Sequence, residues 1–168
     1  MIKKMIAVVL IALAPAMAFA QKFGHINSAD IIPLMPEYKA AQTELETLQK
    51  QYEEEFKYMT DEYEKKVKEY EEQRETLPEN IRTRREQDIM NSRQNAEQYA
   101  RDCQINLDEK SSSLMMDINS KLSKAIQTVG EENAYVCIFD IAAGVVPYIS
   151  STLTTDVTEA VKAKLGIK

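Results

Sequence analysis

From Ala41 to Tyr70 the apolar side chains keep a fixed rhythm. Ala41, Leu45, Leu48, Tyr52, Phe56, Met59, Tyr63, Val67 and Tyr70 follow one another in steps of 4, 3, 4, 4, 3, 4, 4 and 3. The steps repeat every eleven residues, a period of about 3.67 residues per turn that holds one stripe on one helix face. Such a period predicts a nearly straight or slightly right-handed helix pair rather than a left-handed coiled coil. After Pro78 the stripe resumes with Ile81, Ile89, Ala96, Ala100, Cys103, Leu107, Leu114, Ile118, Leu122, Ala125 and Val129. Arg85, Ser92 and Ser111 fill its remaining positions.

The break lies at Thr76-Leu77-Pro78-Glu79. Thr76 with Glu79 three residues on reads as a capping box, and Pro78 suits a first helical turn but not a helix interior. The first helix should end near Gln73–Thr76 and a second begin there, with the tip near 76–80. The outcome is an antiparallel hairpin whose first arm, about 40 residues, would be roughly 60 Å long. The helical pattern runs on to Gly130. Pairs such as Glu53–Lys57, Glu62–Lys66 and Glu64–Lys68 should support the solvated faces.

The flanks read differently. Phe23, His25 and Ile26 predict a strand, followed by Ser28 and Asp30 as helix caps, with Pro33 and Pro36 closing the piece. Tyr135 to Phe139 is a second strand, and a Gly144 turn leads into a further run from Val145 to Ile149. A short amphipathic helix over Val157, Val161 and Leu165 ends the chain, capped by Thr155 or Asp156 and stopped by Gly166. The fold class is therefore α+β, mainly α. A helical hairpin arm (37–130) sits on a small three- or four-stranded β body made from 21–36 and 131–168. So few strands make a poor independent sheet, and the body is expected to oligomerise.

Composition sharpens this picture. The chain has 168 residues, with 21 Lys and Arg against 27 Asp and Glu, a net charge of −6. Lys3 and Lys4, the apolar run Met5–Ala14 and the small-x-small site Ala18-Phe19-Ala20 form an expected signal peptide with cleavage between Ala20 and Gln21. Without it, 19 basic face 27 acidic groups, a net charge of −8. An acidic chain argues against a nucleic-acid partner, and no later stretch is apolar enough to span a bilayer. Residues 37–110 hold 20 acidic and 13 basic side chains, so the acidity belongs to the arms. Cys103 and Cys137 lie too far apart along the pattern for an intramolecular disulfide, and both are expected to act as small buried apolar groups.

Two sets of side chains stand out on the arms. Tyr58, Ile105 and Met116 point well away from the seam, while Met90, Tyr99 and Met115 flank it. Adaptable Met and Tyr side chains in such positions suit promiscuous recognition; stripe residues such as Phe56, Met59 and Tyr63 belong to the seam. At the tip, Arg74, Arg82, Arg84, Arg85 and Arg93 face only four acids, Glu75, Glu79, Glu86 and Asp88. Helix-surface salt bridging is the plainer reading of that basic tip, and weak contact with an anionic surface the sharper one. Catalysis finds no support. His25 is the only histidine and sits in a strand, and the chain holds no nucleophile elbow, phosphate loop, or metal-spaced Cys/His cluster. No cofactor and no catalytic or metal-binding residue is expected.

The order of features carries a resemblance. It comprises the leader, Lys22-Phe23-Gly24-His25-Ile26-Asn27-Ser28, the helix start Tyr38-Lys39-Ala40-Ala41, the long Glu/Tyr/Lys hairpin and the closing Asp156-Val157-Thr158-Glu159-Ala160-Val161. Together these resemble the Skp/OmpH family of periplasmic chaperones over nearly the whole mature chain. The resemblance implies a homotrimer with a β body and three hairpins enclosing a cavity. It also implies an ATP-independent holdase for unfolded outer-membrane proteins. The acidic arms depart from the basic character of the best-known member, which bears on any attraction to anionic lipid or lipopolysaccharide. A periplasmic coiled-coil adaptor bridging envelope components would share the same architecture.

Overall fold

The computed structural model describes residues 21–142 and 144–167, so the expected leader and Ala20 lie outside the described residues. Strand β1 (Lys22–Ile26) leads through two short 3-10 turns into helix α1 (Pro36–Gln73) and helix α2 (Glu79–Glu132). Strands β2 (Tyr135–Asp140) and β3 (Thr154–Asp156) and helix α3 (Thr158–Lys164) complete the chain. Among the described residues two compact units result: the stretch from Gln21 to Ile31 together with the stretch from Leu122 onward, and Ile32–Lys121.

The first unit is built on a three-stranded sheet in the order β2-β1-β3. Both neighbours of β1 run parallel to it, with Gly24 opposite Ile138 on one side and Thr155 on the other. Parallel strands need a long crossover, and here the entire two-helix insertion supplies the one between β1 and β2. Gly24 sits where its neighbours approach closely. A Cβ there would lie 3.2 Å from Ile138 Cγ1 and 3.3 Å from the Tyr135 ring. Around the sheet, Ile26, Ile31, Val129 and Val161 are fully buried, with Leu122, Ala125 and Val157 nearly so. The Phe23 and Phe139 rings stack at 6.3 Å. His25 is structural, its Nδ1 lying 3.0 Å from Thr154 Oγ1.

Several local expectations are corrected. Val145–Ile149 forms no strand; the third strand is Thr154–Asp156. Pro147 falls inside the apolar run, lacks an N–H for a ladder and excludes it from the sheet. Asn27, not Ser28 or Asp30, caps the first 3-10 turn, accepting from the Ala29 N–H. Pro36 opens α1 rather than closing the preceding piece. Helix α2 passes through Gly130 and is ended by Ala134, which takes the left-handed conformation at φ 55. Val157, not Thr155 or Asp156, occupies the N-cap of α3 without a side-chain hydrogen bond; Asp156 Oδ1, one residue earlier, accepts from the Thr158 N–H at 2.9 Å. At the other end of α3 Gly166, φ 72, closes a Schellman motif in which Gly166 N–H donates to Ala163 O and Ile167 N–H to Lys162 O.

Cys137 is exposed, contrary to expectation, on a stretch of β2 where Val136 is exposed as well. Cys103 is buried, and both thiols are free.

Candidate functional site on the helical hairpin

Helices α1 and α2 are joined by a turn over residues 74–78. The turn is not made by a capping box. The Thr76 hydroxyl donates backward to the Gln73 carbonyl at 2.8 Å, closing the first helix. The Pro78 carbonyl accepts from the Ile81 and Arg82 N–H groups, each at 3.0 Å, and starts the second. A single carbonyl-bearing proline thus serves where Thr76 seemed placed to do so.

Cross-helix links set the antiparallel register. Glu37 pairs with Lys121, and Glu44 with Lys110 at 2.7 Å. Nearer the turn, Lys66 donates to Ser92 Oγ at 2.7 Å, Tyr70 donates to Glu86, and Arg85 lies 4.0 Å from Glu69. Two of the expected helix-surface pairs are redirected. Lys66 reaches across to Ser92, and Glu53 accepts from Gln49 at 2.7 Å. The Lys121 hydrogen bond holds the Glu37 carboxyl below its ordinary range. The Glu86 hydrogen bond raises the Tyr70 phenol.

Between these tied stretches the seam is filled by rings against small side chains. Tyr52 and Tyr99 meet edge to face with centroids 6.2 Å apart, and the α2 side is lined by buried Ala96 and Cys103 and by exposed Ala100. One cavity of about 360 Å³ is lined by Tyr52, Glu53, Phe56, Tyr99, Cys103 and Leu107 among others. A second of about 360 Å³ is lined by Phe56, Thr60, Tyr63, Arg93, Ala96 and Arg101 among others. The two share Phe56 and Ala100, and so form one groove along the hairpin. Phe56 is 40% exposed, although the stripe assigned it to the seam. The cause is the large-against-small mismatch: alanines opposite a phenyl ring cannot cover it. Tyr99 is pushed up to about 12, chiefly by burial and then by its contact with Cys103 and the charge of Glu55. It remains a neutral phenol at neutral pH, and the carboxylates fix the local charge.

The off-stripe side chains separate into two groups. Tyr58, Met90, Ile105 and Met116 are exposed, Met116 most of all at 71%. Tyr99 and Met115 are half-buried, Tyr99 through its packing on Tyr52. At the tip Arg74, Arg84 and Arg93 are exposed while Arg82 and Arg85 are half-buried. Arg93 is paired with Glu97 at 2.8 Å. Among the described residues no group of His, Cys, Asp and Glu is arranged to hold a metal ion. Nor is any helix long and apolar enough to cross a membrane.

Fold and groove together define a helical hairpin inserted between parallel strands of a small sheet, with apolar side chains left in water along its length. The family model described as outer membrane protein (OmpH-like) matches residues 22–165, and the chain belongs to that family. The fold is shared with a crystal structure from Caulobacter crescentus, described as OmpH-like and provisionally as an outer membrane chaperone. It matches at TM-score 0.73 and 16% identity, over 85% of this chain and 82% of the other. A search of curated proteins finds no match.

Proposed function

We propose that the protein is an ATP-independent holdase chaperone of the periplasm, exported by the leader and acting as a homotrimer. Its hairpins surround unfolded outer-membrane β-barrel proteins and keep them from aggregating, without a chemical step or a cofactor. The observation that carries this reading is the apolar surface that the hairpin leaves exposed, in a chain of the OmpH-like family. Tyr58, Ile105 and Met116 are more than half exposed, and Phe56 joins them from the seam. Exposed Tyr, Met and Ile side chains along a hairpin of this family support a binding role, since flexible or amphipathic side chains suit many partners.

The oligomer is supported by the sheet unit. Val145, Tyr148 and Leu153 are each 78% exposed or more, and Val136 on edge strand β2 is 61% exposed. A sheet edge flanked by such residues invites pairing with another copy. Light scattering should return three times the chain mass, and a monomer at micromolar concentration would sink the assembly.

For the activity, several unrelated urea-unfolded barrels are diluted into the purified protein without nucleotide. Turbidity should stay low for all of them. Tight binding of one folded envelope protein, with no effect on turbidity, would instead indicate the adaptor.

A further inference from the structure

The groove's two cavities differ in charge, and the difference points to what each can hold. The cavity nearer the chain ends has three aromatic rings, Tyr52, Phe56 and Tyr99, with Glu53 at its rim and no Lys or Arg in its lining. Glu55 stands close enough for its charge to act on Tyr99. The adjoining cavity carries Arg93 and Arg101 beside Glu97. Ring faces are negative and attract cations, more strongly where water is excluded. A carboxylate beside them adds direct attraction, and the surrounding arms are acidic as well, with 20 acids against 13 bases over residues 37–110.

From this charge complementarity we propose that the Tyr52–Phe56–Tyr99 cavity binds the side chain of a Lys or Arg in an extended client segment, with neighbouring apolar residues of that segment lying along the groove. The cation would sit over the rings and near Glu53, and its aliphatic stem along Cys103 and Leu107. About 360 Å³ is ample for one such side chain. Strands of outer-membrane barrels alternate apolar and polar residues, so an unfolded strand offers basic side chains between apolar ones. The inference rests on the holdase reading and adds a preference to it.

The test uses fluorescent decapeptides alternating Val and Tyr with Arg, Gln or Glu at the same positions. Anisotropy is read on the full mature protein. The Arg peptide should bind about fivefold more tightly than the Gln peptide, the range expected for a partly desolvated cation–ring contact, and the Glu peptide most weakly. Glu53→Gln with Glu55→Gln should bring Arg and Gln peptides within about twofold of each other. The control Glu71→Gln with Glu72→Gln, which removes equal charge elsewhere, should leave the preference. Circular dichroism verifies that each variant keeps its helices.

Equal binding of Arg and Gln peptides overturns the proposal. So does a preference lost equally in the control, which would assign it to the arm's overall charge. Turbidity with an unfolded barrel is run on the same wild-type sample. If suppression succeeds without any charge preference, only this inference fails. If suppression itself fails, the holdase reading fails.

Discussion

The sheet unit and the hairpin bury their apolar residues to different degrees. In the first, Ile26, Ile31 and Val161 have no exposed surface; in the second, the phenyl ring of Phe56 is 40% exposed. The sheet and its packed helix close over this inner set, while Val136, Val145, Tyr148 and Leu153 of the same unit stay exposed. A two-helix hairpin has one seam and nothing above it, so any ring that outgrows the opposing residue stays in water. The sheet unit thus has a closed core with apolar surface confined to its loops and edge strand, whereas the hairpin carries exposed apolar side chains along its length.

The largest expected effect lies in the sheet unit. Ile26→Ala should cost about 3 kcal/mol, as for a fully buried side chain cut back to Cβ, measured by urea unfolding. Phe56→Ala removes more atoms but should cost only about 1 kcal/mol, because much of the ring is already hydrated. Its main effect should be on client retention. A larger loss of stability from Phe56→Ala than from Ile26→Ala would erase the contrast.

Acid and salt separate the two regions further. Hydrogen bonds from the Thr158 hydroxyl and N–H hold Asp156 below the ordinary carboxylate range, as Lys121 does Glu37. A depressed folded pKa stabilises above the unfolded value and is lost as pH falls through the folded one. Both contributions should therefore be complete at neutral pH, begin to fall near the unfolded values of about 4, and be lost only once pH drops through the depressed folded ones. Salt should weaken the exposed Glu37–Lys121 pair, while the Asp156 hydrogen bonds persist. Asp156→Ala should cost about 1 kcal/mol, a value that 0.5 M salt, a concentration of the order that shortens screening to a few Å, should barely change.

A smaller gain is expected at the helix end. Ala134, held at φ 55, pays the left-handed penalty that glycine escapes, so Ala134→Gly should stabilise by about 0.5 kcal/mol. At the tip, Arg82→Ser, Arg84→Ser and Arg85→Ser together should cost little thermal stability, since solvent-accessible ion pairs such as Arg85–Glu69 contribute under about 1 kcal/mol each. Liposome sedimentation of the same variant decides the tip's role. Unchanged binding retires the idea of an anionic surface contact.

The long helices were legible because an eleven-residue repeat is a property of one helix face and needs no partner to be seen. Pro78 gave away the turn for the same reason. Caps were less legible: Thr76 and Asn27 each face several backbone groups, and the winning partner depends on the turn's actual path. The third strand is hidden because Val145 to Ile149 is strand-like in its apolar content, whereas a ladder cannot forgo the N–H that Pro147 lacks. Parallel strand order depends on pairings such as Phe23 with Cys137 and with Thr154, far apart along the chain. The groove depended on register between helices. Tyr52, Phe56 and Tyr63 against Ala96, Ala100 and Cys103 become a mismatch only once the turn has brought them opposite one another.

The central claim is that apolar side chains left exposed on the hairpin capture unfolded clients. It is tested most directly by diluting a urea-unfolded outer-membrane barrel into wild-type protein and into the combined variant Tyr58→Ser, Ile105→Ser and Met116→Ser, with turbidity followed in the absence of nucleotide. The wild type should keep the barrel soluble, and the variant, equally helical by circular dichroism, should lose most of that protection. Full protection by the variant, or none by the wild type, would contradict the account.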